Sequence, residues 1–403
     1  MQLGNTFHLT YCTNIHPSND WANVFDTLKH YGPALKARLS PEAPFGIGLR
    51  LSGTESTELL QGDNLVQFKQ FLDENGLYVF TMNGFPHGPF HNQPVKANVH
   101  APDWRTDERV AYTTRLIHIL AALLPEGMEG SISTSPLSYK AWVNLNDEAT
   151  WRLLTRNVVK IAAELVRVRQ EQGKLIHVDI EPEPDGVIET STELVNYFRD
   201  WLLTYGADQL AQTLGIAPEA ARAHLLDHIQ VCFDTCHVAV AYENPVDVLA
   251  RYDTLGIKVG KIQVSAALKV PLPDDSAERE LLRESLEKFQ ESTYLHQVLQ
   301  QNANGTVTQY PDLPEALPNI MNPDAQQWRI HFHVPIFIDQ YASFSSTQDG
   351  ILSTFALLKE RPFTPYLEVE TYTWDVLPED MKIDRLESIE RELRWVRDVF
   401  PLN

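Results

Sequence analysis

Five short stretches of this chain carry side chains whose types and spacing suit chemistry better than packing. "LIHVDIEPEP" (175–184) ends an aliphatic run in Glu181, and "FDTCH" (233–237) sets Asp234 three residues before His237. "GKIQVS" (260–265) alternates Lys261, Gln263 and Ser265 with Ile262 and Val264. "IHFHVPIF" (330–337) alternates His331 and His333 with Ile330, Phe332 and Val334, and "YLEVETY" (366–372) opposes Glu368 and Glu370 to Leu367 and Val369. In an extended chain alternate residues share a face. Each stretch therefore aims its acidic, amide or imidazole set one way and its aliphatic set the other. In 175–181 the polar face is His177, Asp179 and Glu181; in 229–235 it is Gln230, Cys232 and Asp234.

Carboxylates gathered inside a protein cost at least ~3 kcal/mol each unless something neutralises them. The inward-facing cations are few: Lys261, Arg50 and Arg329. A divalent cation would neutralise several carboxylates at once. Carboxylates mixed with imidazole point to Mn²⁺ or Zn²⁺, with Co²⁺ or Mg²⁺ as alternatives. Pro182 sharpens the placement of Glu181, because it removes a ladder donor and drives the preceding residue to extended angles. Glu183, beyond that break, is expected to fall back to a supporting or loop position. Further candidates stand after other strands. His16 in "TNIHPSNDW" and Asn83 in "TMNGFPHGPFH" are expected to face a substrate. Arg50 would bind a substrate carboxylate or phosphate, or neutralise interior acids. His87 and His91 read as solvent-exposed.

These residues need elements to hold them. Extended runs at 7–13, 45–51, 77–83, 130–135, 175–181, 229–235, 260–265, 330–337 and 366–372 alternate with amphipathic stretches. One of these, 149–172, has apolar residues at helical spacing and ends at Gly173, where a helix commonly stops. Strict alternation implies a parallel sheet, and about eight such units close into a (β/α)8 TIM barrel, an α/β fold. Nine runs are one too many. The excess falls beyond residue 265, so residues 267–327 read as an insertion after the seventh strand of a single 1–403 domain.

The 403 residues carry 54 acidic against 33 basic side chains, a net charge of −21, which disfavours nucleic acid as a partner. No window reaches the ~18 apolar residues of a membrane span, so no membrane insertion is expected. No signal peptide is visible, and three cysteines form no disulfide framework; a cytoplasmic protein is the expectation.

The set Glu181, Asp234, His237 and Glu370 resembles that of the xylose isomerase-like TIM barrels, which include sugar isomerases, epimerases and endonuclease IV. In the epimerase branch one metal is held by Glu, Asp, His and Glu from four strands. The resemblance implies that Glu181 and Glu370 bind the metal and move the proton, that Asp234 binds the metal, and that His237 anchors a substrate oxygen. The family's usual "HxH" strand is here Lys261-Ile262-Gln263, so Gln263 would offer a poorer, neutral ligand. His333, with His331 beside it, would restore the imidazole from another direction. "LTYCTNIHPSNDW", "LYVFTMNGFPHGPFH", "GSISTSPLSYK", "HVDIEPEPDG", "FDTCHVAVAYE" and "RIHFHVPIF" together resemble the EboE family of metabolite-traffic proteins. That likeness implies a small-molecule partner (a polyol, sugar or sugar-like metabolite) and pathway proteins of the same gene cluster. Two further readings stay open: a non-catalytic metabolite carrier on the same barrel, and an endonuclease IV-like nuclease, which the charge disfavours.

Overall fold

The structure is a computed structural model and describes residues 1–400 except 5, 92, 342 and 379–381. Its frame is a nine-stranded sheet. A two-residue strand, β1 (Gln2–Leu3), adds antiparallel to β2 (Phe7–Tyr11). The next six strands run β3 (Phe45–Arg50), β4 (Leu77–Asn83), β5 (Gly130–Thr134), β6 (Ile176–Ile180), β7 (Ile229–Asp234) and β8 (Val259–Val264). The second sheet intervenes with β9 (Leu268–Pro271), β10 (Val298–Asn302), β11 (Val307–Tyr310), β12 (Ala325–Ile330) and β13 (Ser345–Ser346). β14 (Tyr366–Val369) then returns to the first sheet.

The first sheet runs β1-β2-β14-β8-β7-β6-β5-β4-β3, and every pairing from β2 to β3 through β14 is parallel. A parallel bridge between Cys12 and Gly48 brings the open ends together, so eight parallel strands form a nearly closed barrel. Glycine is required at this seam. A Cβ on Gly48 would lie 2.6 Å from the Tyr11 carbonyl oxygen and 1.9 Å from Glu368 Oε1.

The alternation of the strands separates two environments. Ile176, Val178 and Ile180 join the apolar core with the helices. On the other face, Asp179 accepts from Ser131 at 2.5 Å, pairs with His177 at 2.6 Å, and fills the space a Cβ on Gly260 would need two strands away. Such a reach is possible only on the inside of the barrel. Lys261 and Glu368 form an ion pair in the same interior, both fully buried. The helix expected over 149–172 spans Glu148–Gln172, capped by Asp147 and stopped by left-handed Gly173 at φ 69°.

β9 to β13 build a separate antiparallel sheet in the order β11-β10-β12-β9-β13. This corrects the expectation of an extended strand over 330–337. β12 ends at Ile330, and the Phe332 amide then donates back to the Ile330 carbonyl at 2.7 Å, a tight turn that breaks the alternation. Val334 donates to the Ala266 carbonyl at 3.0 Å, so this segment crosses the C-terminal mouth of the barrel rather than adding a ninth strand. No helix among the described residues is long and apolar enough to cross a membrane.

Candidate metal centre

Three carboxylates meet at the C-terminal ends of β6, β7 and β14, the end where barrels of this kind carry their chemistry. Glu181 follows β6 directly; its amide continues the ladder to the Thr134 carbonyl at 3.0 Å before Pro182 ends it. Asp234 closes β7 and caps the helix Thr235–Val240, its Oδ1 accepting from the His237 amide at 3.0 Å and from Ser265 Oγ at 2.6 Å. Glu370 follows β14, and its Oε1 accepts from Asn14 Nδ2 at 2.7 Å and Asn83 Nδ2 at 3.0 Å. One oxygen from each lies within 4.8 Å of the others, and all three residues are buried. Glu181 Oε2 and Asp234 Oδ2 have no hydrogen-bond partner. Burial, then the Glu370 and Asp234 charges, hold Glu181 well above the usual carboxylate range. Burial, with Asp234 and Glu368, pushes Glu370 up to about 8.

His333 adjoins this group through Asp234. Its Nδ1 donates to the Glu370 carbonyl at 3.0 Å, which assigns the proton to that nitrogen and leaves Nε2 with a bare lone pair. Nε2 is buried without a partner, and a ring nitrogen of His333 lies within 4.8 Å of ligand atoms of Asp234 and His237. Burial lowers the ring to about 4, so it is a neutral donor. Gln263 pairs in register with Asp234 and lies beside Glu370, yet neither of its amide atoms makes a well-formed hydrogen bond.

A second group of imidazoles adjoins the first. His237 Nδ1 donates to the Pro182 carbonyl at 2.9 Å. His331 Nδ1 donates at 2.9 Å to Gln297 Oε1, whose amide nitrogen is itself committed to the Pro184 carbonyl at 3.2 Å. Both Nε2 atoms therefore carry lone pairs, and they face each other at 3.1 Å. Two lone pairs at that separation repel unless a proton or a cation lies between them. Burial, then His237 and His333, hold His331 well below the usual imidazole value.

Sequence reasoning passed over three residues here. Glu183, expected in a supporting or loop position, is buried, with Oε1 3.0 Å from His100 Nε2 and Oε2 4.0 Å from His237 Nε2. The chain turns back on itself after Glu183, helped by Asp185 at φ 66° and the Gly186-to-Glu183 hydrogen bond. His100 arrives from the end of a 3-10 turn over Lys96–His100, and Asn14 from a short 3-10 turn over Thr13–Ile15. Nothing local in the sequence marks either one.

Other expected residues lie elsewhere. Asn83 ends β4 and positions Glu370. His16 sits in a small neighbouring hollow that Arg50 also lines. Its Nε2 lies 3.1 Å from Tyr11 Oη and its ring packs 4.2 Å from that of Tyr31. Arg50 pairs with Glu55 at 3.4 Å and donates to the carbonyls of Pro86 and Gly88, so it clamps a loop. Neither residue joins the carboxylates. His91 is not solvent-exposed: Nε2 lies 2.5 Å from the Asn14 carbonyl and Nδ1 3.0 Å from Tyr294 Oη. His87 is likewise half-buried, its ring against Tyr112.

The carboxylates open into a cavity whose lining includes Glu181, Glu183, His237, His331 and Glu370. The bare oxygens of Glu181 and Asp234 and the bare nitrogen of His333 are an incomplete set of hydrogen bonds but a coherent set of cation donors. Four buried residues offering oxygen and neutral nitrogen fit a divalent ion of the Mn²⁺ or Zn²⁺ kind.

No protein-family model matches the chain, and no curated protein matches it. Solved structures do. A xylose isomerase-like TIM barrel protein from Mycobacterium smegmatis, in complex with magnesium, superposes with a TM-score of 0.53 at 10% identity, over 99% of this chain and 98% of that one. The IOLI protein with a binding zinc atom gives 0.47 at 13% identity, over 98% of each chain. A D-allulose 3-epimerase from Methylomonas sp., in complex with D-allulose, gives 0.48 at 11% identity, over 99% of each. Eight parallel strands with their covering helices, and the first of these likenesses over nearly the whole chain, give this protein the xylose isomerase-like TIM-barrel fold.

Proposed function

We propose that the chain is a divalent-metal-dependent isomerase or epimerase acting on a sugar, sugar phosphate or similar polyol. In this reading it is an EboE-type protein, as its motifs resemble, working in the cytoplasm beside proteins of its own gene cluster. One observation carries the proposal: three buried carboxylates meet beside a cavity, Asp234 among them is shared with a second group that contains His333, and unpartnered donor atoms stand on Glu181, Asp234 and His333.

Glu181, Asp234, Glu370 and His333 would hold the ion, with Gln263 as a neutral neighbour. A bound divalent cation supplies positive charge that polarises a carbonyl and its adjacent hydroxyl. The chain's own groups do the rest. Glu181 also lines the cavity, and the oxygen it does not give to the ion can take a proton from carbon beside the carbonyl. Glu370 is oriented by Asn14 and Asn83 through one oxygen, which leaves the other to hold or return a proton. His237 presents Nε2 to the cavity and can steady a substrate oxygen.

The test is solvent exchange. Mn²⁺-loaded protein incubated with D-fructose or D-allulose in D₂O should place deuterium beside the carbonyl. Glu181→Gln and Glu370→Gln should each abolish exchange while remaining folded. Sugar binding without exchange in the wild type, persisting in both variants, would instead make the chain a metabolite carrier.

A further inference from the structure

The cavity over the carboxylates has two unlike halves. Its floor carries Glu181, Glu183, His237, His331 and Glu370. Its outer wall is apolar, built by Phe90, Val95, Val99, Tyr294, Leu295 and Tyr372. Phe90, Val95 and Tyr294 form a hydrophobic cluster of their own, with Val99 and Tyr372 packed on it, apart from the main core. Three of its rings make a mutual contact: Phe90–Tyr294 at 5.1 Å, Phe90–Tyr372 at 5.2 Å and Tyr294–Tyr372 at 5.0 Å.

All but one of the polar side-chain groups on this wall are already engaged. Tyr294 Oη donates to the Phe90 carbonyl at 3.0 Å and lies 3.0 Å from His91 Nδ1. Lys96 Nζ pairs with Asp312 at 2.7 Å and donates to the Glu291 carbonyl at 3.3 Å. Among these wall side chains only the Tyr372 hydroxyl has no protein partner. A small polyhydroxylated sugar filling the whole cavity would turn several hydroxyls toward a surface with one free hydroxyl to meet them, and each unmet group loses its water without replacement. An apolar group in the same place loses nothing of that kind.

We propose that the ligand is amphiphilic: a polyol or hydroxycarbonyl end sits over the carboxylates, and an alkyl or aryl end lies against Phe90, Tyr294 and Tyr372. This rests on the reading of the floor as a polyol site and adds the chemistry of the other end. An apolar group that buries about 100 Å² here should tighten binding roughly 30- to 100-fold.

The experiment is calorimetry on the full-length, Mn²⁺-loaded protein with two matched probes, methyl β-D-glucoside and octyl β-D-glucoside, the latter below its micelle concentration. The octyl compound should bind at least about 30-fold more tightly. Val99→Asn and Leu295→Asn, both at half-buried wall positions, should each shrink that advantage several-fold without changing Mn²⁺ affinity. Equal affinities, no measurable binding of the octyl compound, or an advantage undiminished in both variants would overturn the proposal. A separate Mn²⁺ titration keeps the two readings apart. Loss of the octyl preference with normal Mn²⁺ binding removes only the apolar assignment, whereas an octyl preference without Mn²⁺ binding removes the metal reading and leaves the wall as assigned.

Discussion

The Lys261–Glu368 pair offers a sharp test of how the barrel interior is balanced. Both side chains are fully buried, and Glu368 Oε1 has no partner, so Lys261 is the charge that neutralises this carboxylate. Burial opposes the lysine's charge, but Glu368 beside it prevails and holds the ammonium above its usual range. Lys261→Met keeps the volume and leaves Glu368 with an uncompensated buried charge. Breaking a buried pair in this way costs about 3–5 kcal/mol. Replacing both partners is a different perturbation, because an apolar pair needs no neutralisation; Lys261→Met with Glu368→Met should recover most of the loss. Urea unfolding at constant m measures all three free energies. A single variant that loses less than about 1 kcal/mol, or a double variant no more stable than the single, would refute the reasoning.

Two further predictions follow from buried groups. Burial raises the Glu392 carboxyl from 4.5 to about 7, against hydrogen bonds from Thr371 and the Ile336 amide. Between those two values the folded state keeps a proton that the unfolded state has released, so its contribution to stability falls as pH rises through that window. The drop should total about 3 kcal/mol and level off above it. Glu392→Gln should flatten this part of the pH–stability profile, read as the difference from wild type at pH 5 and pH 8; an unchanged difference would contradict the assignment. Gly48→Ala should destabilise by more than about 2 kcal/mol, because its Cβ meets the Tyr11 backbone carbonyl at the barrel seam. A melting temperature within a degree of wild type would show that the seam can open to admit it.

Much of the barrel was legible because a parallel strand buried on both faces still alternates between two different burials. Ile176, Val178 and Ile180 face helices while His177, Asp179 and Glu181 face the interior, and period 2 separates them directly. Glu181, Asp234 and Glu370 could be found because each stands at a strand end. Alternation encodes no direction where the chain is not extended. His331 and His333 alternate in the sequence, but a turn at Phe332 sets their directions, and their meeting with His237 and Asp234 depends on contacts with Gln297 and Ala266. His16 also follows a strand, yet the 3-10 turn over Thr13–Ile15 delivers Asn14 to Glu370 and carries His16 into the neighbouring hollow. Glu183 and His100 find each other across a long stretch of chain, and no local periodicity encodes such a contact.

The central claim is that the buried acid–imidazole group is a divalent-cation site, and Mn²⁺ calorimetry on chelator-treated full-length protein tests it most directly. The account predicts saturable one-site binding in the wild type, weakened at least about 100-fold in Asp234→Asn and unchanged in His16→Ala. No Mn²⁺ binding by the wild type, or equal binding by Asp234→Asn, would contradict it.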